Sequence, residues 1–417
     1  MDITFKIFDY FKGCNAKENN VMEKKMKRFA TMAVACSLSL SVLAGCGGKD
    51  NGGNGDTLQW GVNYEQSGIA VTYGTSHVEG IKLAVDEINQ AGGVEIDGVK
   101  KQIVLDVKDN KTDETEMPQV YNALVENGNT VILGPATSSL TKQAFAMSNE
   151  RKVPTLSASA TDDTVTYQAD GKTVQPYGFK ICYSDSFQGN AIAQVAMEKG
   201  FKKVVVFADN SSDYSKGLVN VFTKKYEALN GTIVAVENYQ KGDKEFTSIL
   251  TKIKNMDYDA LFVSGYYEEA SQIVKQARGM GIDKPILGPD GFDSPKLLEV
   301  AGAEALNNVF FTTHFSLSEK SEKVQAFLDA YRTRYEKEPD TFAALGYDLA
   351  YFVKACMEKA NSQDPEAIRD AIDGYQDFEG VTGTFSMDEN HTPIKQIKLV
   401  TLKDGKHASV ENVKVEK

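Results

Sequence analysis

Short polar segments that follow apolar runs are the residues whose types and spacing could do chemistry in this chain. Gly134-Pro135-Ala136-Thr137-Ser138-Ser139 comes directly after a short apolar run and opens a predicted helix. Hydroxyls and backbone N–H groups at a helix N-terminus can bind an anion. Serine is also a common helix cap, so this segment alone leaves an anion site and a simple cap as equal alternatives.

Further polar loops supply hydroxyls, carboxylates and tyrosines in the same position after a strand. They are residues 157–163, 209–214, 265–269 and 288–292. A tyrosine offers an apolar face with a polar tip, and Asp290 could balance a cation. Each loop alone resembles an ordinary surface loop. Together they predict an anion-binding side opposite an aromatic and carboxylate side, an arrangement that suits a zwitterion.

Signatures of common enzyme classes are missing from the sequence. It contains no phosphate-binding Gly-x-x-x-x-Gly-Lys-Ser/Thr, no Gly-x-Gly-x-x-Gly after the first strand and no Gly-x-Ser-x-Gly elbow. The histidines His77, His314, His391 and His407 are scattered without the spacing of metal ligands. We therefore expect a protein that is not an enzyme and that uses no cofactor and no metal. His77 is expected to be a solvated residue near the start of a helix.

The elements that must position these loops alternate between strands and helices from Thr57 onward. This order is typical of βαβ units and parallel sheets, in which ligands bind at the carboxyl ends of the strands. The chain is longer than one hydrophobic core usually serves, so we expect two lobes. Strands are predicted at 58–62, 102–107, 131–134, 154–157, 203–208, 232–239, 260–264, 285–288 and 395–403, and helices at 76–90, 117–127, 215–229, 246–255, 268–279, 321–335 and 346–360.

The N-terminal segment has the order of a secretory signal peptide, in which a basic start precedes an apolar stretch and small residues. Its apolar run of about 15 residues is shorter than the roughly 20 of a membrane-spanning helix. We expect residues 1–45 to be a signal peptide with a spurious upstream start, the better start being Met22 or Met26. Leu43-Ala44-Gly45-Cys46 resembles the lipobox of bacterial lipoproteins, which implies a diacylglycerol on Cys46. An ordinary signal peptide followed by a chance cysteine is the alternative.

Charge and cysteine content limit the partners and the cross-links of the chain. The formal net charge is −12, and it becomes −15 without residues 1–45, which hold seven basic and four acidic side chains. No basic cluster suggests nucleic acid. Residues 46–56 are rich in Gly and Asn and are expected to form a flexible linker. Cys182 and Cys356 could form a disulfide, but the apolar helical pattern around Cys356 favours two buried thiols.

From Trp60 to its C-terminus the chain resembles the type I periplasmic binding proteins of the leucine/isoleucine/valine-binding family. This resemblance implies an α/β fold of two Rossmann-like lobes with parallel central sheets, three crossings between the lobes and a ligand in the cleft. Residues 57–182 plus 315–375 would form lobe 1, and 183–314 plus 376–417 lobe 2. The matching segments are GIKLAVDEINQAGG at 80–93, GPATSS at 134–139, DSFQG at 185–189, DYSKG at 213–217, GYYE at 265–268, QAR at 276–278 and GPDG at 288–291.

The resemblance also implies roles for first-lobe residues around a bound amino acid. Ser138 matches a serine whose hydroxyl binds the ligand carboxylate. Thr161 matches a threonine that serves both the carboxylate and the ammonium group. Ser159 lies where a backbone carbonyl accepts from the ammonium. Tyr73 stands where the leucine binder has a tryptophan beside the side-chain pocket, and Thr137 replaces a family cysteine, so that family disulfide is absent.

Three second-lobe residues match positions that cover the ligand in this family. Tyr214 and Tyr266 match two tyrosines that the second lobe brings over it. Asp290 matches an acidic residue, usually glutamate, that pairs with the α-ammonium group, and it is one methylene shorter.

The resemblance implies an extracytoplasmic, lipid-anchored substrate-binding component of an ABC importer. It would capture a branched-chain or other neutral amino acid by hinge closure, as a monomer, and deliver it to permease and ATPase subunits. A receptor domain that senses amides or small carboxylates without transport is the alternative, because one fold can serve both functions.

Overall fold

The computed structural model describes residues 57–414, so the predictions for the signal peptide, for Cys46 and for the linker lie outside the described residues. The described residues belong to one compact unit. Among the described residues, no helix is both long enough and apolar enough to cross a membrane. Two sheets organise this unit, and we call the elements packed on each sheet the first and second lobe.

The first sheet, within residues 57–414, has six strands in the order β2-β3-β1-β4-β5-β6. Its strands run parallel except for the β2–β3 hairpin at one edge. All residues of β4 and β5 are buried, as expected for parallel strands covered on both faces. The strands are β1 (Thr57–Tyr64), β2 (Val94–Ile96), β3 (Val99–Asp109), β4 (Val131–Leu133), β5 (Thr155–Ser157) and β6 (Gly178–Lys180).

The second sheet, in the same described range, has seven strands in the order β15-β14-β11-β10-β9-β7-β8. Strands β7 to β11 are parallel, whereas β14 and β15 are antiparallel additions at one edge. The predicted parallel sheets are therefore confirmed except at one edge of each sheet, where β2 and the pair β14–β15 are antiparallel. The strands are β7 (Lys203–Asp209), β8 (Thr232–Tyr239), β9 (Ala260–Ser264), β10 (Ile286–Gly288), β11 (Val309–Thr313), β14 (Ile397–Lys403) and β15 (Lys406–Val413), and a separate hairpin comprises β12 (Phe378–Gly380) and β13 (Gly383–Phe385).

Helices cover both sheets, and most lie where the apolar periodicity predicts them. Some differ from the prediction: α1 and α10 each begin five residues before their predicted starts at 76 and 346, and α4, α8 and α11 were not predicted as helices. The helices are α1 (Val71–Gln90), α2 (Glu116–Glu126), α3 (Ser138–Arg151), α4 (Asp185–Glu198), α5 (Asp213–Ala228), α6 (Thr247–Ile253), α7 (Tyr267–Gly279), α8 (Pro295–Ala301), α9 (Glu322–Tyr335), α10 (Thr341–Ala360) and α11 (Pro365–Ile372).

Helices α1 and α10 of the first lobe pack against each other through two glycines. A Cβ atom on Gly80 would lie 2.0 Å from the carbonyl oxygen of Ala343, and one on Gly346 would lie 2.3 Å from that of His77. Only glycine permits this close approach of the two backbones. The packing places the ring of Tyr73 4.3 Å from that of Phe342, measured between centroids.

The division of the chain between the lobes stays a prediction, but the β12–β13 hairpin packs differently from it. Phe378, Phe385 and Met387 belong to the same hydrophobic cluster as Phe352 of α10. The carboxylate of Asp348, also on α10, accepts hydrogen bonds from the N–H groups just after β12. This packing favours a last crossing after Met387 rather than at 376.

Two predictions about single residues have clear outcomes. Cys182 and Cys356 are free and buried, which confirms the expectation of two thiols. The expectation that His77 is solvated is wrong, because its side chain is completely buried. His77 stacks on Tyr64 with ring centroids 4.7 Å apart, and its Nδ1 lies 2.7 Å from the Tyr73 carbonyl oxygen. Burial lowers the pKa of His77 to about 3.

Candidate ligand-binding site

A cavity between the carboxyl ends of the two sheets brings together most of the residues singled out in the sequence. The space between its walls, counted together with the solvent to which it opens, is about 260 Å³. Six of the seven predicted ligand-binding residues line it, with Thr161 as the exception. The lining residues are Tyr73, Ala136, Thr137, Ser138, Ser159, Tyr214, Tyr266, Asp290, Gly291 and Phe342.

The N-terminus of α3 forms one pole of this cavity. Thr137 is the N-cap residue and has an extended backbone, so that α3 begins at Ser138 directly beside the cavity. The Ser138 hydroxyl oxygen accepts a hydrogen bond from the Asp162 N–H at 3.3 Å, which leaves its own proton to donate. The first N–H groups of a helix have no partner inside the helix, and the helix dipole favours negative charge there. This pole suits a carboxylate.

Glu65 holds the loop before α3 in place, a role that no sequence pattern indicated. Its carboxylate accepts from the N–H groups of Ala136 and Thr137, both at 3.0 Å, and from the Thr137 hydroxyl at 2.8 Å. Burial raises the pKa of Glu65, and these hydrogen bonds oppose the increase. Because the Thr137 hydroxyl donates to Glu65 and the Ser159 hydroxyl to the Ala136 carbonyl oxygen, the Ser138 hydroxyl is left as the side-chain donor at this pole.

Asp290 forms the opposite pole, in a single 3₁₀ turn that follows β10. Its side chain is 2% exposed. One carboxylate oxygen accepts from the Tyr214 hydroxyl at 2.5 Å, and the other lies 3.1 Å from Nε2 of His314. The Asp290 N–H donates to the Gln188 side-chain oxygen at 2.7 Å.

The groups that hold Asp290 carry no net positive charge. Burial raises the pKa of Tyr214 far above its usual value, so its hydroxyl stays protonated. Burial also lowers the pKa of His314, so its imidazole is neutral at pH 7. No lysine or arginine among residues 57–414 forms an ion pair with Asp290. An unpaired buried charge raises the free energy of the protein. This pole is therefore suited to bind a positively charged group of a ligand.

Aromatic side chains form the wall between the two poles. The rings of Tyr214 and Tyr266 are stacked, with centroids 5.2 Å apart and planes 5° apart. Tyr73 meets Tyr266 edge to face, with centroids 5.6 Å apart. Phe342 completes the wall beside Tyr73. This surface suits an apolar side chain between a carboxylate and an ammonium group.

Thr161 lies behind the cavity rather than on its surface. Its side chain is completely buried, and its carbonyl oxygen accepts from the Asp185 N–H at 2.8 Å and from Nζ of Lys180 at 3.0 Å. These contacts tie the loop after β5 to the start of α4. A direct contact of Thr161 with a ligand stays a prediction.

Several residues of the site were missed by sequence reasoning. Gln188 belongs to the segment DSFQG, which was noted only as part of the resemblance. Its side-chain oxygen also accepts from the Thr312 hydroxyl at 2.5 Å, which holds it under Asp290. His314 was not predicted to belong to the site, because the four histidines lack the spacing of metal ligands and no other pattern marks it. Phe342 falls in a helix whose predicted start, at 346, was too late.

A cavity between two α/β lobes, with donors at one pole and an uncompensated carboxylate at the other, has the arrangement of a binding site for a small charged molecule. The chain belongs to the periplasmic binding proteins, since the model of the family described as "Periplasmic binding protein" matches residues 57–406. The described fold confirms the type I architecture that the resemblance implied.

Three proteins that are similar to this chain are named for the transport or binding of amino acids. The chain is 44% identical to LivJ of Streptococcus pneumoniae, a branched-chain amino acid transporter substrate binding protein solved with isoleucine. That match covers 86% of this chain and 99% of LivJ with a TM-score of 0.80. The leucine binding protein LivK of Thermotoga maritima is 30% identical, covering 86% of this chain and 98% of LivK with a TM-score of 0.78. The leucine-, isoleucine-, valine-, threonine- and alanine-binding protein of Pseudomonas aeruginosa is 24% identical over 88% of this chain and 92% of its own length.

Proposed function

We propose that this protein is the substrate-binding component of an ABC importer and that it captures a branched-chain or other neutral amino acid between its lobes. The observation that carries the proposal is the uncompensated carboxylate of Asp290, 2% exposed, across a cavity from the N-terminus of α3. A zwitterion satisfies both poles at once. The printed names of the relatives in S. pneumoniae, T. maritima and P. aeruginosa support the same ligand class.

In this proposal each pole binds one charged group of the ligand. The hydroxyl of Ser138 donates to the ligand carboxylate, and the carbonyl of Ser159, together with Thr161, supports the ammonium group. Asp290 pairs with that ammonium from the second lobe. Tyr73, Tyr214, Tyr266 and Phe342 then enclose an apolar side chain.

Hinge closure drives capture without any chemical step. The first lobe holds the ligand through residues such as Ser138, and closure brings Tyr214, Tyr266 and Asp290 over it. A ligand shifts such an equilibrium by its higher affinity for the closed state. Micromolar binding corresponds to about −8.2 kcal/mol, a magnitude that two charge-assisted contacts and a buried apolar side chain can supply.

The proposal places the protein on the extracytoplasmic face of the membrane, held by a lipid on Cys46 and a flexible linker. Two acyl chains give stable anchoring, whereas one does not. Permease and ATPase subunits of the importer are its proposed partners. Cys46→Ala should move the full-length protein from the membrane to the soluble fraction, while Cys36→Ala, in the signal segment, should not. Membrane retention of Cys46→Ala would contradict the anchor.

A thermal-shift screen tests the ligand class. Residues 54–417, whose described part, 57–414, belongs to one compact unit, are tested against the twenty amino acids, small amides and aromatic acids. A ligand at 100 times its Kd stabilises the native state by about 2.7 kcal/mol. We expect a shift with Leu, Ile or Val. Shifts from amides or acids alone would overturn the amino-acid assignment and favour a sensor of those compounds.

A further inference from the structure

We propose that His314 is a positioning residue for ammonium recognition: its imidazole N–H holds the Asp290 carboxylate in place without neutralising it, which makes the site select ligands that carry an α-ammonium group. This inference rests on the proposed function and adds to it the residue that sets the ligand class. No sequence pattern predicted a role for His314.

The geometry orients the His314 proton toward Asp290. Nε2 lies 3.1 Å from an Asp290 carboxylate oxygen, and the imidazole is 0% exposed. Nδ1 has no hydrogen-bond partner within residues 57–414. A neutral imidazole carries one proton, so the proton belongs on Nε2, where it donates to the carboxylate. The ring of Tyr183 stacks on His314 with centroids 3.7 Å apart and planes 16° apart, which fixes the imidazole plane.

The charge of His314 decides what Asp290 can bind. Burial lowers the pKa of His314, and the nearby Lys395 ammonium lowers it further, while Asp290 opposes both effects. The neutral imidazole therefore supplies a hydrogen bond and no charge. A lysine or arginine at this place would pair with Asp290 and leave no anion for the ligand. Selection of an ammonium group follows from the combination of a fixed carboxylate and an uncharged donor.

His314 lies where the chain leaves the second sheet. It directly follows β11, which pairs with β10, so its contact with Asp290 stays within the second lobe. Its backbone N–H donates to the hydroxyl of Thr341, the first residue of α10, at 3.3 Å. The backbone of His314 is thus tied to the first lobe, while its imidazole holds the Asp290 carboxylate of the second.

Two substitutions test the hydrogen-bond donor of His314 separately from the shape of its ring. His314→Gln places an amide N–H near the position of Nε2, so it can still donate to Asp290. His314→Phe keeps a ring for Tyr183 to stack on but has no donor. His314→Asn, whose amide N–H is too short to reach Asp290, serves as a smaller variant without this contact if the phenylalanine variant does not fold.

Calorimetric titration of residues 54–417 with leucine and 4-methylpentanoate tests the inference, since the two ligands differ in the ammonium group. We expect His314→Phe or His314→Asn to weaken leucine binding at least tenfold and to change 4-methylpentanoate binding less than threefold. His314→Gln should stay within threefold of wild type for leucine. Equal weakening of both ligands, or a glutamine variant as weak as phenylalanine, would overturn the inference. Wild-type protein that binds no amino acid would instead overturn the proposed function.

Discussion

The hydroxyl of Tyr73, on the first lobe, is hydrogen-bonded to the backbone of Gly291, on the second. It donates to the Gly291 carbonyl oxygen at 2.5 Å and accepts from the Tyr267 N–H at 3.1 Å. Tyr73 is 2% exposed, so these bonds are shielded from water. Tyr73 therefore does more than line the cavity, because its hydroxyl links α1 of the first lobe to the backbone of the second.

Tyr73→Phe should weaken ligand binding while leaving the first lobe intact. The change keeps the ring and leaves two buried backbone groups unpaired in the closed state, at about 1–3 kcal/mol for each such group. We expect leucine affinity, measured by calorimetry, to fall at least tenfold. Tyr347→Phe is the control, because its hydroxyl bonds to Glu87 within the first lobe. Equal affinity in wild type and Tyr73→Phe would show that the hydrogen bonds of the Tyr73 hydroxyl contribute nothing to closure.

Ser138→Ala should reduce affinity by removing the donor at the carboxylate pole. A hydrogen bond to a charged group contributes about 1.5–3 kcal/mol, so the Kd for leucine should rise at least tenfold. Ser148→Ala is a matched control in the same helix, since the Ser148 hydroxyl bonds only to the Phe145 carbonyl away from the cavity. If both variants bind leucine as wild type does, the carboxylate lies elsewhere.

Asp340→Asn should change how stability depends on pH. Burial raises the pKa of Asp340 to about 7 from 3.8, and repulsion from Asp293 of the second lobe adds to this. The native state therefore binds more protons than the unfolded state between about pH 4 and pH 7. The stability associated with this group is fully present below pH 4 and is lost as the pH rises through 7.

Asparagine removes this titration and retains a side-chain oxygen for the cap that Asp340 provides to the Ala343 N–H. We expect Asp340→Asn to have a higher Tm than wild type at pH 8 and a similar Tm at pH 4. Asp364→Asn, at the exposed cap of α11, should show no such difference between the two pH values. A Tm gain for Asp340→Asn that is the same at both pH values would rule out a titration effect.

Gly80→Ala should destabilise the first lobe strongly. The added Cβ would lie 2.0 Å from the Ala343 carbonyl oxygen and 2.9 Å from the Tyr347 nitrogen, so α1 and α10 must separate. Overpacking of this kind costs about 1–3 kcal/mol or more, and denaturant unfolding should register it. Gly279→Ala is the control, because a Cβ there meets nothing within 4 Å and alanine favours the helix. Equal stability of Gly80→Ala and wild type would contradict the described contact.

The sequence was informative about the site wherever a short loop follows a parallel strand. Asp290, Tyr214 and Tyr266 could be placed together because the carboxyl ends of neighbouring strands meet at one edge of a sheet. Gln188 and His314 could not, because they reach Asp290 from a helix start and a crossing segment that only tertiary packing brings close. His77 was misjudged for the same reason, since its burial depends on Tyr64 of β1 and on the approach of α10.

Strands, too, could be predicted where a local sequence pattern is strong and not where long-range packing decides. Strands such as β7, whose residues after Lys203 are all buried, stand out as apolar runs. The three-residue strands β12 and β13 are too short for alternation to be recognised. Their packing on Phe352 follows from long-range contacts that no local pattern encodes.

Calorimetric comparison of leucine with its two singly charged analogues tests the central claim most directly. 4-Methylpentanoate lacks the ammonium group, and 3-methylbutylamine lacks the carboxylate, while both keep the apolar side chain. Loss of one partner of a buried charge pair costs about 2–5 kcal/mol, so we expect each analogue to bind wild-type residues 54–417 at least thirtyfold more weakly than leucine. An analogue that binds as tightly as leucine would contradict recognition of a zwitterion by Ser138 and Asp290.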